Sequence, residues 1–300
     1  MKEKFKLSNL LDVAKRFPTE ESCINYLIQI RWDGKPVCTF CGSDEKTYKI
    51  NGGKLLKCSK CRKQFTVRKG TIFEDSALPL QKWFFAVFLL TAHKKGISSC
   101  QLARDISITQ KSAWFVLHRI RHALKTGSFD KGPLKNVVEC DETYVGGHRS
   151  GKRGRGAEGK TPVFGMKERG GDVVTMPVKR VDGATLKGLI RENIDKDATV
   201  MTDEWTAYNN LGKEYDHKVI NHRRKEYAIG DIHVNGIENF WSLLKRGILG
   251  IYHHVSPEHL KRYCDEFAFR HNTRGIADVD RFGDTLGKCE ARLTYQELIN

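Results

Sequence analysis

Apolar residues recur at helical spacing through the first thirty residues: Leu7, Leu10, Leu11 and Val13, then Cys23, Tyr26, Leu27 and Ile30. The pattern stops before Asp33-Gly34. Residues 31–70 lose that period. A turn signal at Asn51-Gly52-Gly53 precedes short strand-like pieces, Leu55-Leu56 and Gln64-Phe-Thr-Val67. From Pro79 to Leu124 helical spacing returns in three pieces, divided at Gly96 and near Ser107, and Gly127 and Gly132-Pro133 then break the chain. Beyond this linker the period becomes two, in Val137-Val-Glu-Cys-Asp141, Pro162-Val-Phe-Gly-Met166 and Asp172-Val-Val-Thr-Met-Pro-Val-Lys179. Gly170-Gly171, between the last two runs, predicts a hairpin. A helix over residues 184–194, a buried strand Ala198-Thr-Val-Met-Thr-Asp203, and amphipathic helices over roughly 235–249 and 257–271 follow. Hairpin strands first and helix-alternating strands later predict a mixed α/β domain, with no internal repeat. The expected organisation is an N-terminal helical segment (1–30), a small cysteine-bearing module (31–75), a helical segment (76–130) and the α/β domain (135–300).

Charge changes the picture. Of 300 residues, 52 are Lys or Arg and 36 Asp or Glu, a formal +16, which implies a polyanionic partner. Met1-Lys-Glu-Lys-Phe has no apolar core of a secretory signal, and the most apolar run, Trp83-Phe-Phe-Ala-Val-Phe-Leu-Leu90, is too short to span a bilayer. The expectation is a soluble, cytoplasmic protein with no membrane partner. In a reducing compartment its nine cysteines favour metal over disulfides.

Four of them form two pairs, Cys38-x2-Cys41 and Cys58-x2-Cys61, sixteen residues apart. Each pair sets two thiolates on one tight turn, and the two turns complete a tetrahedral four-sulfur site suited to Zn²⁺. A closed site leaves no position for substrate, so this zinc is structural. Residues 31–70 also carry eleven Lys/Arg against three Asp/Glu, a surface fit to follow a phosphate backbone or simply to be solvated.

In the helical segment, Ser98 or Ser99 can cap one short helix, Ser107-Ile108-Thr109 makes a turn, and Thr109 can cap a second helix from Gln110. Ala113, Leu117, Ile120 and Leu124 share one face of that helix; Gln110, Lys111, His118, Arg119 and Arg121 fall elsewhere. This is the pattern of a helix-turn-helix whose second helix reads DNA through Gln110, Lys111, Arg119 and Arg121, although many helical hairpins share it.

Three acids stand at element ends. Asp141 and Asp203 follow apolar strand-like runs, and Glu238 lies near a helix start with Asn235 as its expected cap. Acids at strand ends often sit where open α/β sheets bind ligands, and three that converge can hold two Mg²⁺ ions for in-line phosphoryl displacement. Each also has a plain explanation as a turn former, a cap or a partner of the helix dipole. Glu142 and Glu204 point to the opposite side of an extended chain and make worse ligands. Lys245, seven residues after Glu238, lies on nearly the same helical face and can reach a phosphate, with Arg246 beside it. His222 and His233 are weaker candidates, for DNA contact or structure.

The strings Asp141-Glu-Thr-Tyr-Val-Gly-Gly147, Gly159-Lys-Thr-Pro-Val-Phe-Gly-Met166, Thr202-Asp-Glu-Trp-x-Ala-Tyr208 and His233-Val-Asn-Gly-Ile-Glu-Asn-Phe-Trp-Ser-Leu-Leu-Lys-Arg246 resemble the IS1595 (ISXO2-like) family of bacterial insertion-sequence transposases. Tyr252-His-His-Val-Ser256 and Asp265-Glu-Phe-Ala-Phe-Arg270 add to the resemblance, which covers nearly the whole chain. It implies an RNase H-like catalytic domain preceded by a zinc ribbon and a helix-turn-helix segment. It also implies a DDE mechanism on Asp141, Asp203 and Glu238, with Lys245 at the basic position after the third acid. Some members carry Asn at the third acid; here it is Glu238. The resemblance further implies catalytic Mg²⁺ or Mn²⁺, transposon-end and target double-stranded DNA as partners, and a homodimer or larger synaptic complex at the nucleoid. One metal, on Asp141 and Asp203, would activate water; the other, on Asp141 and Glu238, would stabilise the leaving 3′-oxygen. Two other readings stand beside it: a DNA-binding regulator with an inert C-terminal domain, and a nuclease without strand transfer.

Overall fold

The computed structural model describes residues 7–125, 132–146, 159–221, 233–290 and 292–299. The chain divides into two units, Lys125–Arg274 and Met1–Leu124 with Gly275–Asn300. Among the described residues no helix is long and apolar enough to cross a membrane.

The first unit opens with α1 (Leu10–Arg16) and α2 (Glu20–Trp32), two helices where the spacing suggests one stretch. Pro18 explains the break, since it lacks an N–H and disfavours helical geometry at Phe17. Thr19 then caps α2 by accepting from the Ser22 N–H. The ribbon is an antiparallel sheet of β1 (Thr47–Ile50), β2 (Leu55–Cys58) and β3 (Gln64–Phe65), in that order. β1 escapes a periodicity reading because Tyr48 and Lys49 are both exposed. Next come α3 (Leu80–Ala92), buried on most of its circumference, and the helical pair α4 (Ser99–Asp105) and α5 (Gln110–Leu124). The expected caps are formed, Ser98 accepting from Gln101 and Thr109 from Ser112.

Two C-terminal helices, α9 (Asp278–Gly287) and α10 (Tyr295–Ile299), belong to this first unit. The α/β domain expected to continue to residue 300 therefore closes at Arg274. The reason is aromatic packing: buried Phe282 meets Phe84 at 5.7 Å and Phe17 at 6.0 Å between ring centres, and Tyr295 meets Phe115 at 5.2 Å.

The second unit contains β4 (Val137–Gly146), β5 (Lys160–Glu168), β6 (Val173–Pro177), α6 (Gly183–Asn193), β7 (Thr199–Asp203), β8 (Asp216–Ile220), α7 (Asn235–Gly247) and α8 (Pro257–Asn272). Its sheet runs β6-β5-β4-β7-β8, antiparallel among the first three strands and parallel from β4 through β7 to β8. This is the mixed sheet of an RNase H-like fold. β8 has no counterpart in the periodicity, because an edge strand that exposes Asp216, Lys218 and Val219 has no clean apolar face.

Each sheet face carries its own core. Leu186 and Ile190 of α6 pack with Val138, Cys140, Phe164 and Val200 on one side. Ile237, Phe240, Trp241 and Leu244 of α7 pack with Val145, Val163 and Met201 on the other. Burying each such side chain contributes roughly 1.5–3 kcal/mol, so α7 is held by its apolar stripe. Alternation along β4 turns Val138 and Cys140 toward α6, and Glu139, Asp141 and Val145 toward α7.

Candidate catalytic and metal centres

β4 is the point where the sheet order reverses, with β5 on one side and β7 on the other; ligands of open α/β sheets bind at such points. Its parallel pairing with β7 ends at Glu139 and Met201. Asp141 and Asp203 each stand two residues further on, at matched positions of neighbouring strands and on the face covered by α7. Asp141 is mid-strand rather than at a strand end, since β4 continues against β5 with Asp141 opposite Gly165. It nevertheless lies just past the end of the β4–β7 ladder.

Trp241 of α7 completes the setting. Its Nε1 donates to Asp141 Oδ2 at 3.0 Å, and its ring lies over Gly165. A Cβ on Gly165 would come within 2.5 Å of that ring, so the glycine of the Val-Phe-Gly-Met run makes room for the indole that orients Asp141. Burial pushes the Asp141 carboxyl up to about 8, reinforced by the charges of Glu142, Asp203 and Glu238. Asp203 and Glu238 thus each lie near enough to Asp141 to act on it, although the three do not form a group whose oxygens all lie within 4.8 Å of one another. Glu142 belongs to the other face, where it accepts from buried Tyr208 Oη at 2.7 Å.

Glu238 is exposed in the first turn of α7, and Lys245 and Arg246 are exposed further along it. Asn235 is the first helical residue rather than the cap; Val234 occupies the cap position and offers no side-chain hydrogen bond. That gap is filled from β4. Buried Glu139 accepts from the Ile237 N–H at 2.9 Å and from Arg169 Nε at 2.9 Å. His233 Nδ1 lies 3.4 Å from the same carboxylate, which gives His233 a structural setting. Burial holds Lys167, opposite Glu139 in β5, below the usual lysine range despite that acid. His222 lies outside the described residues.

Among the described residues, Cys38, Cys41, Cys58 and Cys61 are the one group of potential ligands whose atoms all lie within 4.8 Å of one another. Cys38 and Cys61 Sγ are 3.6 Å apart and Cys41 and Cys58 Sγ 3.7 Å. A tetrahedron with Zn–S bonds of about 2.3 Å has edges of about 3.8 Å, so the four sulfurs fit zinc.

Comparison with known proteins follows the same division of the chain. A family model described as the ISXO2-like transposase domain matches residues 133–272, and one described as the transposase zinc-ribbon domain matches residues 18–64. A protein in the transposable element ISH50 of Halobacterium salinarum is 31% identical over 277 residues, covering 85% of this chain and 92% of that one. The chain belongs to the IS1595 transposase family.

A transposase-like protein of Haemophilus influenzae is also similar to this IS1595-family chain, at 36% identity over 105 residues, 35% of this chain and 84% of that one. Among solved structures, the Mos1 strand transfer complex matches at 14% identity, over 72% of this chain and 78% of that one, with a TM-score of 0.30. The sheet order, rather than that distant likeness, defines the fold.

Within the family member's helical pair, the structure separates the four residues expected to face DNA. Gln110 and Lys111 are exposed at the start of α5, with Gln110 Nε2 donating to Ser99 Oγ at 2.8 Å. Arg121 is buried, 1% exposed, and His118 is fully buried beside Trp114. Arg119 Nη1 donates to the carbonyls of Ile72 and Glu74. Arg119 and Arg121 are therefore structural, because α3, α4 and α10 cover more of α5 than its single apolar stripe suggests. Sequence reasoning also passed over Trp241 and Glu139. The available signal was an acid inside an apolar strand, two residues before Asp141 and of the same parity.

Proposed function

We propose that this chain binds the ends of its own mobile element, hydrolyses the phosphodiester there and joins the freed 3′-OH to target DNA. Asp141, Asp203 and Glu238 are the acids of the reaction. The observation that carries this reading is that Asp141 and Asp203 each stand two residues past the end of the β4–β7 ladder, on neighbouring strands, with both Asp203 and Glu238 acting on Asp141. Asp141, Asp203 and Glu238 offer carboxylate oxygens only, the donor type suited to Mg²⁺ or Mn²⁺. Such ions, when bound, supply Lewis-acid activation of water and charge neutralisation at the leaving oxygen.

The protein's own residues prepare the site. The two strands fix the aspartates on a rigid base, and the Trp241 indole N–H holds the Asp141 carboxylate in one orientation. Lys245 and Arg246, on the exposed side of α7, bind phosphates bordering the acids. Gln110 and Lys111 at the exposed start of α5 contact the element's end, together with the lysine-rich ribbon, whose zinc is structural. Because two ends must be brought together for joining, the active form is a homodimer or larger synaptic complex.

The test supplies pre-cut ends bearing a free 3′-OH, target DNA and Mg²⁺, and looks for joined products. Joined products are the expected result. Mg²⁺-dependent nicking of intact ends with no joining would reduce the reading to a nuclease.

A further inference from the structure

The entrance of α7 is built unusually for a helix that carries a reactive acid. Its first turn has no cap from its own segment, yet the Ile237 N–H is buried and must find an acceptor. The acceptor comes from 98 residues earlier in the chain: Glu139 Oε2, at 2.9 Å. Glu139 is 1% exposed, and its other oxygen is held by Arg169 Nε at 2.9 Å. Arg169 also reaches the peptide before the helix, donating from Nη2 to the His233 carbonyl at 3.0 Å. Glu139 in β4 and Arg169, in the turn just past β5, therefore grip the chain on both sides of the helix start. Gly236 allows this approach, because a Cβ there would lie 2.6 Å from Glu139 Oε2 and 3.1 Å from Lys167 Nζ.

We propose that Glu139 is a positioning residue that sets where Glu238 stands relative to Asp141. The proposal rests on the reading of the acids given above. The link is short. Glu139 precedes Asp141 by two residues on one face of β4, and the N–H it holds belongs to the residue immediately before Glu238. A shift of the helix entrance moves Glu238 while leaving both aspartates on their strands. The buried carboxylate thus converts strand geometry into helix position. Partners one shell removed from ligands change metal affinity by about 10–100-fold when altered.

The test uses the full-length, zinc-loaded chain and Mn²⁺ as the probe. Mn²⁺ binding is read by electron paramagnetic resonance for the wild type, Gly236→Ala, Glu139→Gln and Asp141→Asn, with thermal melting and gel shift of the element's ends alongside. Gly236→Ala forces a methyl between the clamp and the helix; Glu139→Gln keeps the shape and removes the charge that Arg169 holds. Both are expected to weaken Mn²⁺ binding by about 10-fold or more while end binding is kept. High Mn²⁺ should restore nicking to Glu139→Gln and not to Asp141→Asn. Wild-type Mn²⁺ affinity in either variant, if folded, overturns the role of Glu139, even where melting is lowered; if one variant fails to fold, the other decides. Asp141→Asn separates the two levels: unchanged Mn²⁺ binding there refutes the acid site itself, whereas loss there with none in the clamp variants refutes Glu139 alone.

Discussion

Asp141 carries a consequence that can be measured without DNA. Its carboxyl would titrate near 3.8 in an unstructured chain and is pushed up to about 8 here, by burial first and by neighbouring acids next. Between those values the folded, divalent-free protein holds a proton that the unfolded chain has released. The associated stability is complete below about pH 4 and is lost as pH rises toward about 8. Divalent-free, zinc-loaded wild-type protein should therefore lose melting temperature across that window more steeply than Asp141→Asn, and equal slopes would contradict the shift. The aspartates were legible in the sequence because each follows an apolar strand run, a pattern that survives without knowledge of strand order. The environment of Asp141 was not. The β4–β5 register sets Gly165 opposite it, and the packing of α7 on the sheet brings Trp241 to it from 100 residues away. Arg119 and Arg121 misled for a related reason: their charge suggests solvent, while α5 is covered on more than one side.

Elements with a strong internal period were the most readable. α7 and α8 follow from their apolar stripes, α4 and α5 from their Ser and Thr caps, and the β5–β6 hairpin from Gly170-Gly171. Elements whose partners supply the order were hidden, namely the exposed strands β1 and β8 and the cap of α7. The ribbon is a different case, since its ligand spacing is local and fully visible. Its apolar cluster is small, Leu56 and Phe65 beside the buried cysteines with Trp32 against them, so zinc must contribute much of its folding energy. Stripping zinc with a chelator should open the ribbon to protease and weaken end binding, while the cleavage pattern of the α/β unit is unchanged. Equal resistance of the ribbon with and without zinc would show that its core suffices.

At the scale of the molecule, composition pointed to a polyanion, and the change of period after Gly132-Pro133 marked the start of the α/β unit. Its end was misplaced because α9 and α10 are amphipathic like their predecessors, and nothing local indicates which core Phe282 joins. The family assignment and the two-unit fold stand on the matches and the sheet order. The chemistry stands on the acids. The most direct measurement is Mg²⁺-dependent cleavage of the element's ends by wild type and Asp141→Asn on one gel, with a gel shift of the same DNA. The account predicts cleavage by the wild type, none by Asp141→Asn, and equal binding by both. Cleavage by Asp141→Asn at the wild-type rate would contradict it.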